Sequence, residues 1–304
     1  MSAVDRLSAE TVSRLEGAGL DPSSVATIVK HTVKEDLGGG RDVTSEATVS
    51  ESARSLAVLR SRSRGRLAGL DIAIAVFEYV SGDVPVKVQR HRADGEPVQG
   101  GDDLASVEAS TRALLLAERS ALNLICHLSG VATATAKWVE AINGTRAVIR
   151  DTRKTTPGLR ALEKYAVRCG GGSNHRMSLS DAALVKDNHV VAAGSMLAAV
   201  ELVLAGAESV PVEVEVDTLE QLAVALGCGV DLVLLDNMSV DEMTNAVDLA
   251  RSHSEATGRP VGLEASGGLT VERARQVAET GVDFISVGAI THSAPILDIG
   301  LDME

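Results

Sequence analysis

Aromatic side chains are nearly missing from this 304-residue chain: two Phe, two Tyr and one Trp, 2% of its residues. With a hydrophobic content of 45%, the interior must be built from Ala, Val, Leu and Ile. So few aromatics leave little for stacking nucleobases. A formal net charge of -13 also denies the chain the extended basic surface that a phosphate backbone requires, so no nucleic-acid partner is expected. Cysteine is scarce. Cys126, Cys169 and Cys228 are odd in number, far apart and without CxxC pairing. They read as reduced structural thiols of a cytoplasmic protein, with no support for a zinc site. Seven Pro against 28 Gly suit short turns rather than long disordered linkers. The opening MSAVDRLSAE carries no basic-then-apolar signal. No apolar run approaches the ~18 residues that suggest a membrane span, so no membrane partner is expected.

Positive charge is the scarce quantity that matters most. From residue 191 to the end there is no Lys, and four Arg face nineteen acids, a sum of -15. Residues 150–190 run the other way, with eight Lys/Arg against four acids, a sum of +4. A protein this acidic concentrates cations in one short segment only if something anionic binds there. The cations also sit among Gly, Thr, Asn and His, which suit loops and hydrogen bonding. The segment reads as a site for a small polyanion.

Residues 1–30 form a helical lead-in, with helices over Ser2–Gly17 and Pro22–Glu35. From about 45 to 110, β-branched runs separated by turns such as Ala93-Asp94-Gly95 flank a helix in DIAIAVFEYV, giving a small α+β unit. A long helix spans Thr111 to Ile142, with a break expected near Ser129-Gly130. Strands then follow in AVIR (147–150), AALV (182–185), VPVEVEV (210–216), DLVLL (231–235), VGLEA (261–265) and DFISV (283–287). Amphipathic helices lie between the later ones. Strand–helix units every 20–30 residues indicate parallel strands with helical crossovers. No GxGxxG opens any unit, so a dinucleotide fold is disfavoured. The expected architecture is α/β: an open, atypical, TIM-like barrel of parallel strands over 131–289, preceded by an α+β domain over 1–130. The tail 290–304 is assigned to the first domain.

Every expected strand ends in chemically capable side chains, as barrel active sites demand. Arg153, Lys154, His175, Arg176 and Lys186 form a basic cluster; Arg grips carboxylates with two parallel hydrogen bonds, and Lys supplies a point charge for phosphates. Arg160, Lys164 and Arg168 lie on a helix and read as a solvated face. Glu215 and Asp236 end neighbouring strands and suit Mg²⁺, sugar hydroxyls or acid–base work. An ion pair of Glu215 with Lys154 or Lys186 is the structural alternative. Glu213, Asp217 and Asp231 read as solvated or structural. Ser266-Gly267-Gly268 and Gly288, with His292 beyond, offer backbone N–H groups for a phosphate, or else are merely tight turns. His189 is open between ligand contact and structural hydrogen bonding. The residues thus describe a barrel enzyme for a phosphorylated, multiply anionic substrate without naming its reaction.

Six segments carry a resemblance: ERSALNLICHLSGVATAT (118–135), DTRKTTPGLRALEKYAVRCGGGSNHRMSLSDAALVKDNH (151–189), VEVEVDT (212–218), LLDNM (234–238), EASGGL (264–269) and GVDFISVGAITHSA (281–294). Together they closely resemble the quinolinate phosphoribosyltransferases, from about Val33 to Leu301. The resemblance implies a homodimer whose subunits hold an N-terminal α/β domain and an open seven-stranded barrel. It implies conversion of quinolinate and phosphoribosyl pyrophosphate, with Mg²⁺, to nicotinate mononucleotide, pyrophosphate and CO₂ in NAD synthesis. By matching motif, Arg153, His175, Arg176 and Lys186 should hold the quinolinate carboxylates, and Arg119 should serve the neighbouring subunit's site. Lys154 should face the pyrophosphate, Glu215 and Asp236 the ribose hydroxyls or metal, and Ser266, Gly267 and Gly288 the 5′-phosphate. His292 should line the same pocket. Three other readings remain at this point. They are a Schiff-base aldolase using Lys186 or Lys154, a related enzyme with another substrate, and a non-catalytic sugar-phosphate binder.

Overall fold

The computed structural model describes residues 2–206 and 210–304. In chain order the elements of the first half are α1 (Ala9–Gly17), α2 (Pro22–Leu37), α3 (Val43–Thr48), β1 (Arg54–Ser61), β2 (Gly65–Arg66), α4 (Leu70–Ser81), β3 (Lys87–Arg90), β4 (Pro97–Val98), β5 (Asp103–Ser110) and α5 (Thr111–Ala141). The second half continues with β6 (Val148–Arg150), α6 (Arg160–Cys169), β7 (Ala183–Val185), α7 (Asp187–Ala193), α8 (Met196–Gly206), β8 (Val212–Val216), α9 (Leu219–Gly227), β9 (Leu232–Asp236), α10 (Val240–Thr257), β10 (Gly262–Ser266), α11 (Ala274–Glu279), β11 (Phe284–Ser286), α12 (Ala289–His292) and β12 (Ile299–Met303). No single helix among the described residues is long and apolar enough to cross a membrane.

The chain divides into two compact units. The first comprises Met1–Ala136, Thr156–Gly171 and Ser293–Glu304. Its antiparallel sheet has the order β12-β1-β5-β3, so the C-terminal tail supplies an edge strand beside β1. The apolar helix α4 is buried along most of its length, which is why DIAIAVFEYV has no polar stripe. The helical lead-in is shorter than expected at its start: α1 begins at Ala9, capped by the Ser8 hydroxyl, which accepts from the Thr11 N–H.

Two expectations fail in this unit. Helix α5 runs unbroken through Ser129-Gly130. Gly130 is there for close packing: a Cβ would overlap the backbone of Pro295 and Ile296. Helix α6 belongs to this unit rather than to the one that holds the parallel sheet. Its buried face carries Leu162, Glu163, Lys164, Ala166 and Val167, and Tyr165 donates to the Asp94 carboxylate at 2.6 Å. Lys164 is therefore fully buried, not part of a solvated face.

The second unit comprises Lys137–Thr155 and Gly172–His292 and holds a six-stranded parallel sheet in the order β6-β11-β10-β9-β8-β7. Its strands are short apolar runs, as expected where both faces are covered. Each helix after β8 and β9 starts at a capping box, Thr218 with Gln221 and Ser239 with Glu242. Among the described residues the sheet has six strands, not seven. The seventh position shrinks to one residue, Ser173, which makes an isolated parallel bridge with Arg150 on β6. Residues 174–182 then cross from that bridge to β7 at the opposite end of the sheet. The arrangement is an open, barrel-like sheet.

Registers fix which side chains face inward. Glu215 on β8 and Glu264 on β10 both pair with Leu234 on β9. Asp236 pairs with Ser266, and Ser286 on β11 pairs with Arg150. Because side chains alternate along a strand, Glu213 and Glu215 share one face while Val212, Val214 and Val216 are buried on the other. Each such buried Val contributes about 1.5–3 kcal/mol.

Candidate active site

A cavity of about 420 Å³ opens at the C-terminal ends of these strands. It is lined by Arg153, Lys154, His175, Arg176, Lys186, Glu215, Asp236 and Ser266, together with Thr152, Leu184, Leu234, Glu264 and Ser286. Eight residues singled out from the sequence thus meet in one place. Leu184, Lys186, Glu215, Leu234, Asp236, Glu264, Ser266 and Ser286 all come from the inward parity of their strands or the residue just beyond. Of the remaining candidates, Gly267 directly follows Ser266. Its φ of +90° and the adjacent Asn237 amide, with which a Cβ would collide, both require glycine. Gly288 lies against the Lys154 side chain and the His292 ring, so His292 stands beside the cavity rather than in its lining. The Thr291 hydroxyl donates to the Lys154 carbonyl at 2.8 Å and ties these segments together. Arg119 is exposed on α5, in the first unit, and lines no part of this cavity.

The cations are held under electrostatic tension. Burial, and then the neighbouring Arg153 guanidinium, pull Arg176 below the usual arginine range, with Glu213 and Asp181 acting in the opposite sense. Arg153 buries its Nε without a hydrogen-bond partner. Two guanidinium groups kept close, one with a spare donor, form a receptacle for an anion. Lys186 ion-pairs with Glu215, so the structural alternative weighed for Glu215 exists; it leaves Glu215 in the cavity wall all the same. Asp236 accepts from the Asn237 side chain at 2.7 Å. The His189 Nδ1 accepts from the Lys186 backbone N–H at 2.9 Å, a structural bond at the start of α7.

Sequence reasoning missed the layer beneath. Glu213 is 3% exposed and Glu264 0%, both deep inside the strands, so of the two readings of Glu213 the structural one holds. Arg150 donates to Glu264 at 2.8 Å and stacks on the Phe284 ring at 3.4 Å. The Ser286 hydroxyl also donates to Glu264. Burial, then the nearby Glu213 charge, push the Glu264 carboxyl above the ordinary range. The His175 Nε2 lies 3.0 Å from Glu213 and 3.4 Å from Glu264. Its Nδ1 accepts from the Arg176 backbone N–H at 2.7 Å. An acceptor Nδ1 carries no proton, so the ring proton sits on Nε2 and points at the two acids. His175, Glu213 and Glu264 come close enough to suggest a metal centre. A protonated Nε2 has no lone pair to give, so this arrangement is not one. Both ring nitrogens of His175 thus meet partners within the protein, while the residue still lines the cavity.

Higher in the cavity, Glu215 and Asp236 place carboxylate oxygens at the ends of adjacent strands, a donor set that would suit a hard cation such as Mg²⁺.

Comparisons with known proteins place the chain in a family. Residues 42–129 match the family described as Quinolinate phosphoribosyl transferase, N-terminal domain, and residues 131–302 match its C-terminal domain. The "Nicotinate-nucleotide pyrophosphorylase [carboxylating]" of Mycobacterium leprae is 49% identical over 275 residues, covering 90% of this chain and 95% of that protein. Among solved structures, NadC from Streptococcus pyogenes superposes with a TM-score of 0.86 at 37% identity, covering 94% of this chain and 99% of its own. The nicotinate-nucleotide pyrophosphorylase from Francisella tularensis gives 0.83 at 37% identity, with 92% and 96% covered. Two matched domains account for nearly the whole length, and the relatives are matched from end to end. The chain belongs to the quinolinate phosphoribosyltransferase family.

Proposed function

We propose that this enzyme transfers the phosphoribosyl group of phosphoribosyl pyrophosphate to quinolinate, releasing pyrophosphate and CO₂ and forming nicotinate mononucleotide for NAD synthesis. The observation that carries this reading is that the neighbouring pair Arg153 and Arg176 lines one cavity together with Glu215 and Asp236. A substrate with two adjacent carboxylates matches the first pair, and a sugar with two hydroxyls matches the second.

Arg153, Arg176 and Lys186 take the quinolinate carboxylates. Glu215 and Asp236 accept from the ribose hydroxyls and favour the positive charge that grows on the sugar as the C1′–O bond lengthens. Lys154 offsets the negative charge gathering on pyrophosphate. Backbone N–H groups around Ser266, Gly267 and Gly288 receive the 5′-phosphate. Glu215 and Asp236 would hold Mg²⁺, which would neutralise part of the pyrophosphate charge. The pyridine nitrogen forms the new bond to C1′ as pyrophosphate leaves. The ring nitrogen, now cationic, draws in the electron pair of the breaking C2–carboxylate bond, CO₂ departs, and C2 takes a proton. Holding both substrates in attack geometry is worth about 7–11 kcal/mol of barrier.

Incubating the protein with quinolinate, phosphoribosyl pyrophosphate and Mg²⁺ should yield nicotinate mononucleotide and CO₂ in equal amounts. Turnover of nicotinate in place of quinolinate, or binding of phosphoribosyl pyrophosphate without product, would overturn the reading.

We also propose a cytoplasmic homodimer in which the exposed Arg119 completes the site of the second copy. Three free thiols suit a reducing compartment. Arg119→Ala and Lys186→Ala, each inactive alone, should regain about a quarter of wild-type activity when mixed as subunits, since a two-fold hybrid keeps one intact site. Verified hybrids without activity would refute the sharing of Arg119.

A further inference from the structure

Two like charges confined beside a cavity do not stay aimed unless something holds them. The structure holds Arg176 from behind. Asp151 is fully buried, and its carboxylate accepts from the Asn174 side chain at 2.6 Å and from the His175 backbone N–H at 2.9 Å. The His175 ring then accepts from the Arg176 backbone N–H through Nδ1, and its Nε2 faces Glu213 and Glu264. The Arg176 guanidinium donates to the Ala182 carbonyl at 2.9 Å, across the segment that replaces a seventh strand. No ladder of backbone bonds fixes this stretch, so its conformation depends on side chains.

We propose that Glu213 and Glu264 are positioning residues for substrate binding. They select the His175 tautomer protonated on Nε2, which leaves Nδ1 free to hold the Arg176 backbone and so aims its guanidinium at a substrate carboxylate. Without the acids the Nε2 proton loses its acceptors, and the ring can protonate Nδ1 instead. Nδ1–H cannot accept from Arg176, and the segment loses its anchor. The Glu213 Oε1 is buried without a hydrogen-bond partner, while its Oε2 lies against the His175 Nε2. The link to binding rests on the quinolinate reading; the tautomer selection does not.

The test uses the full-length enzyme and two readouts. ¹⁵N NMR of labelled histidine, with His175 assigned through His175→Gln, should show protonation on Nε2 in the wild type. Glu213→Leu, which removes the acceptor, should shift that population towards Nδ1. The same variant should weaken binding of benzene-1,2-dicarboxylate, a non-reacting probe with two adjacent carboxylates, by about tenfold, the loss of roughly one hydrogen bond. The KM for quinolinate should rise in parallel, while the KM for phosphoribosyl pyrophosphate and the melting temperature hold. Glu213→Gln keeps a carbonyl acceptor and should restore both the tautomer and the dicarboxylate affinity. An unchanged tautomer in Glu213→Leu overturns the role of the acid. A shifted tautomer with unchanged dicarboxylate affinity overturns the link to Arg176. Equal loss for both substrates with a lowered melting temperature marks a merely structural role and also overturns the proposal. If quinolinate proves not to be the substrate, the tautomer and probe measurements still decide.

Discussion

Glu163 and Glu213 are both buried carboxylates facing an imidazole, one in each unit, and they differ in a single oxygen. Glu163 pairs with the His127 Nε2 at 2.8 Å and accepts from the Thr156 N–H at 3.1 Å, so both oxygens are used. Glu213 pairs with His175 and leaves the other oxygen empty. The contrast extends beyond these two. In the first unit the buried Glu78 is also complete, accepting from the Thr11 hydroxyl and the Ser8 N–H, each at 2.9 Å. Among the described residues, the buried orphan atoms of the first unit are hydroxyls, on Ser81 and Ser120, whereas those of the second belong to Arg150, Arg153 and Glu213. An unmet hydroxyl costs little, and an unmet charged group costs more. The orphan atoms of the first unit are thus the cheap ones, and the costly ones lie at the cavity, on Arg153, or in the layer beneath it, on Arg150 and Glu213.

That difference can be broken from either side. The largest effect belongs to the cavity: Lys154→Ala should lower kcat by about 10²–10³. Because Lys154 is exposed, the melting temperature should stay within a few degrees, and near-normal turnover would remove it from the mechanism. A smaller, opposite effect belongs to the first unit. Glu78→Ala strands the Thr11 hydroxyl and the Ser8 N–H and should cost about 1–3 kcal/mol of stability by chemical denaturation. Its kinetic constants below the transition should match wild type; altered substrate affinity would show that the unit's polar groups are not purely structural. The smallest effect is chemical. Burial pushes the Cys169 thiol up to about 11, so its thiolate at pH 8 is about 100-fold scarcer than for an ordinary thiol. Iodoacetamide should therefore modify Cys169 far more slowly in the folded protein than after denaturation. Equal rates would mean that the first unit opens readily.

Much of this arrangement was legible in the residues. The strands announce themselves as short β-branched runs, and each stops at a polar cluster, so the cavity could be assembled from strand ends alone. Alternation placed Glu213 with Glu215 on one face but said nothing about depth, and depth separates a cavity residue from the layer below. A signal was present: acids inside VEVEV and GLEAS sit where a doubly covered parallel strand is otherwise apolar. The fate of α6 was hidden for a different reason. Its cations suggested solvent, and only the contacts of Glu163 and Tyr165 with distant segments draw it into the first unit. Gly130 misled because glycine weakens helices on average, whereas here it admits a crossing backbone. His175 lines the cavity as its basic loop suggested, but its contacts with Glu213 and with the Arg176 backbone could not be read from the sequence.

The single-residue bridge at Ser173 has a further consequence. Strands β8 to β11 in this wall are stitched to neighbours on both sides, and any shift would tear several main-chain bonds at once. The span bearing His175 and Arg176 is stitched only at its two ends, by the Ser173 bridge and by β7, so its shape can be retuned by exchanging a few side chains while the sheet stays whole. Selectivity among small anions is thereby separated from the stability of the scaffold, and new ligand preferences can arise here by point substitution.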